Sequence, residues 1–254
     1  MAGLLSESYF MIEQGDKPAC ICQFVITCSF DFRTNDYFVS KNLYFCRKIE
    51  MKFLDFQHAF EQFPVIPVGE IEKVFPGFDR NNLLRWQEKG YIEKLRNGFY
   101  RFRKQVPNQE ELFLIAGKIY TPSYVSLESA LFWYGLIPEA VFTITSVSNL
   151  KTQYFDTPVG RFSYRHLKKE LLFGLRLEPA GIFHFKIADP VKALLDFLYL
   201  RSDIFNAGHI EELRLNRRAV QQYLEQYPVS DYLERFDSHT LTRKVSVLQE
   251  MLSK

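Results

Sequence analysis

The sequence predicts an α+β fold, and three observations predict it. Between Phe53 and Lys89 three short apolar-periodic segments follow one another, punctuated by Pro64, Pro76 and Gly90. Tyr91-Ile-Glu-Lys-Leu and Phe99-Tyr-Arg-Phe then flank Arg96-Asn97-Gly98, and Asn-Gly between alternating apolar runs is a strong hairpin signal. Beyond Glu110, helix-like and strand-like stretches succeed one another to the C-terminus. Three helices and a hairpin make residues 51–105 an N-terminal winged helix-turn-helix. Residues 110–254 make a mixed α/β C-terminal domain.

The first 50 residues stand apart. All four cysteines (Cys20, Cys22, Cys28 and Cys46) lie there, and none follows. Their spacing lacks the paired short loops of common zinc sites, so a metal centre is the minor reading. No basic region precedes a long apolar one, which argues against an export signal. Residues 1–50 read as an extension, disordered or arising from a start set upstream of Met51, with the second favoured. Cys20 to Phe32 has strand character. No run approaches the roughly 18 apolar residues of a membrane helix, and the cysteine-free remainder fits the cytoplasm. The net charge is only +2, so any affinity for nucleic acid must come from a local patch.

Helix one is expected from Phe53 to Phe63, with Phe53, Phe56, Ala59, Phe60 and Phe63 on one face. Helix two is expected over Val68 to Phe75, burying Ile71, Val74 and Phe75. Asp79 is the expected N-cap of helix three, which runs to Lys89 and turns Leu83, Leu84 and Trp86 inward. That leaves Arg80, Asn81, Asn82, Arg85, Gln87 and Lys89 outward. Arginine and asparagine carry the forked donors and acceptors that match guanine and adenine edges in a major groove. Arg80 to Lys104 holds eight basic and two acidic residues. Arg96 and Asn97, at the hairpin turn, are placed to reach a minor groove or a phosphate. Lys94, Arg101, Arg103 and Lys104 are placed to hold the flanking backbone.

In the C-terminal region a helix is expected from about Glu110 to Ile119, and another from Ser126, closed by Gly135. Strands are expected over Val141 to Val147, Lys151 to Phe155, Gly160 to His166 and Gly181 to Ile187. Asp189-Pro190 starts the next helix, with an N-cap and a proline at the first helical position. Two helices, about Glu211 to Glu225 and Ser238 to Leu252, end the chain.

Five motifs carry a family likeness. They are Leu84-x5-Gly90-Tyr-Ile-Glu-Lys-Leu-x-Asn-Gly-Phe-Tyr, Tyr124-Val-Ser-Leu-Glu-Ser-Ala-Leu-x-x-Tyr-Gly-Leu-Ile-Pro, Phe142-Thr-Ile-Thr-Ser-Val, Gly160-Arg-Phe-Ser-Tyr-Arg-His and Ala188-Asp-Pro-x-Lys-Ala-Leu-Leu-Asp. In this order the chain from about Met51 resembles the AbiEi family of antitoxins. These are partners of AbiEii nucleotidyltransferase toxins in type IV toxin–antitoxin systems of abortive infection. The likeness implies a transcriptional autorepressor that binds double-stranded DNA at its own promoter. It also implies a C-terminal domain that neutralises the toxin, whether or not the two touch.

The residues that suggest catalysis are Glu128, Arg161, Tyr164, Arg165, His166, Asp189 and Lys192. A nuclease needs clustered carboxylates for a divalent metal. Here Asp189 reads as a helix cap, Asp196 as a helix-surface residue and Glu128 as an early-turn carboxylate. His166 reads as a hydrogen-bonded structural histidine. Arg161 and Arg165 share one face of a strand and are either solvated or a second basic patch for DNA or toxin. No enzymatic activity, cofactor or metal is expected. The alternative is a winged-helix protein-interaction scaffold or a divergent metal-dependent nuclease.

Overall fold

Proline and glycine punctuation decides where the helices stop. The computed structural model describes residues 52–103, 106–139, 142–204 and 206–253, with the backbone of four short strands nearer the N-terminus. Of these strands, β1 (Ser8–Tyr9) pairs with β2 (Gln23–Phe24), and β3 (Thr27–Asp31) with β4 (Asp36–Ser40), both antiparallel. The strand expected over Cys20 to Phe32 is two, β2 and β3, while the cysteine metal site and the reading of residues 1–50 as an extension lie outside the described residues. Backbone contacts group the chain into two units, 1–60 with 70–80, and 61–69 with 81–254.

In the first unit, α1 (Phe53–Phe60) buries Phe56 and Phe60, whose ring centroids lie 5.2 Å apart. Phe75 approaches Phe60 at 6.3 Å. The helix stops three residues short of its expected end. Pro64 bars helical backbone at Phe63, and the chain leaves the helix early. α2 (Val68–Val74) begins in the second unit and continues into the first, where Ile71 is fully buried.

The second unit opens with β5 (Ile66–Pro67). α3 (Asn81–Glu88) follows, then the hairpin of β6 (Ile92–Arg96) and β7 (Phe99–Phe102). These strands form a sheet in the order β5-β7-β6. Gly98, with φ +83°, supplies the left-handed backbone of the hairpin turn. α3 ends in a Schellman motif at Gly90: Gly90 N–H donates to Gln87 O and Tyr91 N–H to Trp86 O. Glycine here, two residues past Glu88, is what lets β6 start at once.

α4 (Gln109–Ile119) begins with a capping box that Asn108-x-x-Glu111 announces: each side chain bonds the other's backbone N–H. β8 (Ser123–Val125), α5 (Leu127–Trp133), β9 (Thr143–Ser148), β10 (Gln153–Thr157) and β11 (Gly160–His166) follow. A 3-10 turn over Lys169–Leu171 leads to β12 (Leu175–Ala180), β13 (Phe183–Ala188) and α6 (Pro190–Leu200). The six-stranded mixed sheet has the order β10-β11-β9-β8-β13-β12. β9 with β11 and β8 with β13 are parallel, and the remaining pairs are antiparallel. α4 packs on β8, β9, β12 and β13, and α5 on β9 and α6. α7 (Ala207–Glu212), α8 (Arg217–Gln226), α9 (Val229–Phe236) and α10 (His239–Leu252) end the chain, with α10 touching α6 to α9.

β8 and β12 are absent from the sequence reading. The single helix expected over Glu211 to Glu225 is two, broken where Arg214 takes φ +51°. α9 likewise lies outside the expected helices, and Pro228 occupies its N-cap. No described helix is long and apolar enough to cross a membrane.

Candidate nucleic-acid interface

Helical spacing sorts the residues of α3. Leu83 and Trp86 turn inward, and so does Asn82, only 8 % exposed. Asn81, Arg85 and Lys89 recur every four residues and are all exposed, so they share one face. Leu84, expected inside, is 60 % exposed beside them. On the hairpin Lys94 and Asn97 are exposed, as is Arg103 just beyond it. Within the second unit, α3, the hairpin and Arg103 thus carry four exposed cations and two exposed carboxamides. The carboxylate of Glu88 is exposed there too, while Glu93 is half-buried and engages Arg101 at 3.4 Å.

Three residues of the expected surface are placed otherwise. Asn82 is buried, as above. Arg101 is only 6 % exposed, and its Nε donates to Phe102 O at 3.2 Å while meeting Glu93. Arg101 and Phe102 are both buried at the end of β7, so the strand is covered on both faces there, which a count of charges does not reveal. Arg96 is half-buried and engaged within the protein: its Nη1 donates to Ile119 O, and its guanidinium lies 4.6 Å from the Phe155 ring centroid and 5.4 Å from that of Tyr120. Arg80, in the first unit, is exposed and bonded to Glu72 at 2.7 Å. A cleft of about 680 Å³ beside Arg101 is lined by Glu61 and Glu111 as well, a poor match for phosphate.

On the six-stranded sheet, Arg161 pairs with Asp156 across β10 and β11 at 3.0 Å, both exposed. Arg165 is half-buried on the same face. A ring nitrogen of His166 bonds Leu150 O at 2.9 Å, so the histidine is hydrogen-bonded to backbone. Glu128 lies in the first turn of α5.

The remaining titratable candidates form a buried polar network. Asp189 caps α6, accepting from Lys192 N–H at 2.8 Å and from Tyr232 Oη–H at 2.8 Å. Lys192 and Asp196 pair one helical turn apart, both fully buried. Asp196 also accepts hydroxyl hydrogens from Tyr124 and Ser126, each at 2.9 Å. Ser126 stands at the N-cap of α5 without a side-chain cap bond, its hydroxyl turned to donate to Asp196. Burial pushes Asp196 above the ordinary carboxylate range, against the pull of Lys192. Burial likewise lowers Lys192, against the pull of Asp196. The Tyr124 phenol is held well above its usual range, first by burial and then by Asp196. The surface position expected for Asp196 is thus corrected: α6 is apolar all round, and a charge on such a helix must be paired inside. Lys192 has no solvent exposure, and the network ties α6 to β8, α5 and α9.

Among the described residues no three His, Cys, Asp or Glu side chains group to hold a metal ion. No family model matches the chain, and no curated protein matches it.

Proposed function

We propose that this chain is a DNA-binding antitoxin and autorepressor of a type IV toxin–antitoxin system, neutralising a nucleotidyltransferase toxin in the cytoplasm. One observation carries the DNA half: Asn81, Arg85 and Lys89 are exposed on one face of α3, and Lys94, Asn97 and Arg103 are exposed on and just after the hairpin that follows it. Three short helices followed by a hairpin, with β5 pairing β7, support reading 51–105 as a winged helix-turn-helix. In that fold α3 enters the major groove and the hairpin lies along the backbone. Leu84 among the reading residues suits a thymine methyl. The antitoxin half rests on the likeness to AbiEi proteins in the five sequence motifs. Asp189 and Asp196, two of the carboxylates a nuclease could draw on, are engaged in internal bonds, and the proposed action is by binding.

The contact set is narrower than the sequence suggests. Arg85 and Asn81 read bases; Lys89, Lys94, Asn97 and Arg103 hold phosphates. Arg85→Ala lowers affinity for the specific site by about 1–3 kcal/mol while leaving shuffled DNA nearly unchanged. Arg103→Ala weakens all sequences alike and flattens the salt dependence by about one unit of log–log slope. Fluorescence anisotropy reads both. An unchanged Arg85→Ala affinity removes Arg85 from the reading surface. It would favour the scaffold reading, in which exposed Leu84 docks a protein.

A further inference from the structure

We propose that Arg96 is a positioning residue for DNA binding. It fastens the β6–β7 hairpin to the aromatic end of the six-stranded sheet, so the C-terminal region presents hairpin and α3 as one body. The consequence for DNA rests on the function proposed above; the fastening does not.

The hairpin carries a register shift between Lys94 and Arg96, opposite β7. Such a bulge re-aims the side chains beside it. Leu95 is thereby buried in the same apolar cluster as Phe113, Ile144 and Tyr164 of the C-terminal region. Arg96 then reaches the carbonyl of Ile119, the last residue of α4. That carbonyl has no partner within its own helix, and a cation there also meets the negative end of the helix dipole.

The seat for the guanidinium is built in advance. The rings of Tyr120, Phe155 and Tyr164 stand 4.7 to 5.7 Å apart, two of the three pairs edge-on. Tyr164 Oη–H donates to Ala116 O at 2.8 Å and Tyr120 Oη–H to Lys151 O at 2.7 Å, which fixes two of the rings. Strand β10, which holds Phe155, lies against β6 along this contact. On the other side, the Schellman turn at Gly90 joins α3 directly to β6, and Arg103 N–H closes the hairpin onto Tyr91 O at 3.1 Å. The orientation of α3 therefore follows β6, and β6 is held by Arg96 and Leu95.

A planar guanidinium lies flat on rings and points a donor at a carbonyl; an ammonium keeps the charge but loses the stacking. The test uses the full chain with Arg96→Ala and Arg96→Lys, checked for folding by circular dichroism. In DNA-free protein, amide exchange over residues 92–102 should accelerate on the order of tenfold in both variants, while β9 and β11 keep their protection. Affinity for upstream DNA should fall on the order of tenfold with an unchanged salt slope, and lysine should not restore it. Unchanged hairpin exchange in both variants overturns the proposal. So does a loss of affinity with a slope shallower by about one unit that lysine rescues, which would make Arg96 a phosphate contact. If the wild-type chain shows no preference for its upstream DNA, the proposed function fails, and the exchange rates alone still decide the fastening.

Discussion

Lys192 and Asp196 hold opposite charges where neither side chain has any solvent exposure. Removing one partner strands the other, and that cost exceeds the value of the pair itself. Asp196→Ala also leaves the hydroxyls of Tyr124 and Ser126 without their acceptor. We expect it to cost about 3–5 kcal/mol, read as a lower urea midpoint at constant slope. A loss within about 0.5 kcal/mol would mean that Asp196 behaves as a surface residue after all. Spacing alone does not distinguish the two cases, because Lys192 and Asp196 have the i,i+4 relation of many exposed ion pairs. The distinguishing signal was their company: Val191, Ala193, Leu194, Leu195, Phe197 and Leu198 surround α6 with apolar side chains. Arg96 and Arg101 raise the same difficulty. Their charge is plain in the sequence, but where it is spent depends on a bulge and on the cross-strand partner Glu93.

Among the elements, those that end on a chemical signal were legible. Asn97-Gly98 gave the hairpin, Gly135 the end of α5, and Asp189-Pro190 the start of α6. β8 is three residues long and β12 contains Pro179, so neither shows a clean strand period. Two glycines near β12 differ in what they do. Gly181, in the turn before β13, has φ +62° and open space where a Cβ would lie. Gly174, just before β12, has φ +64°, and a Cβ there would come within 2.8 Å of Asp189 Oδ2 and 3.1 Å of Lys192 Cβ. Gly181→Ala should cost only the left-handed backbone penalty of about 1–2 kcal/mol. Gly174→Ala should cost more, by a further 1–3 kcal/mol or about that, because it must displace the cap of α6. Equal unfolding midpoints for the two variants would show that the α6 cap yields without cost.

For the whole molecule, the grouping of α3 and the hairpin with residues 106–254 matters most. The helix-turn-helix pattern is contiguous in sequence, so composition and periodicity draw a boundary near residue 105. The backbone contacts of β6 with β10 cross that line, and no local signal announces them. With a net charge of +2, the chain can hold DNA only through such a locally assembled patch. The most direct test is fluorescence anisotropy of the full chain on its own upstream DNA and on a shuffled duplex, across a salt series. The account predicts that binding to the upstream DNA stays tighter than to the shuffled duplex as salt rises, because base contacts outlast counterion release. Equal, weak binding to both, abolished by modest salt, would contradict it and reduce the α3 patch to nonspecific charge.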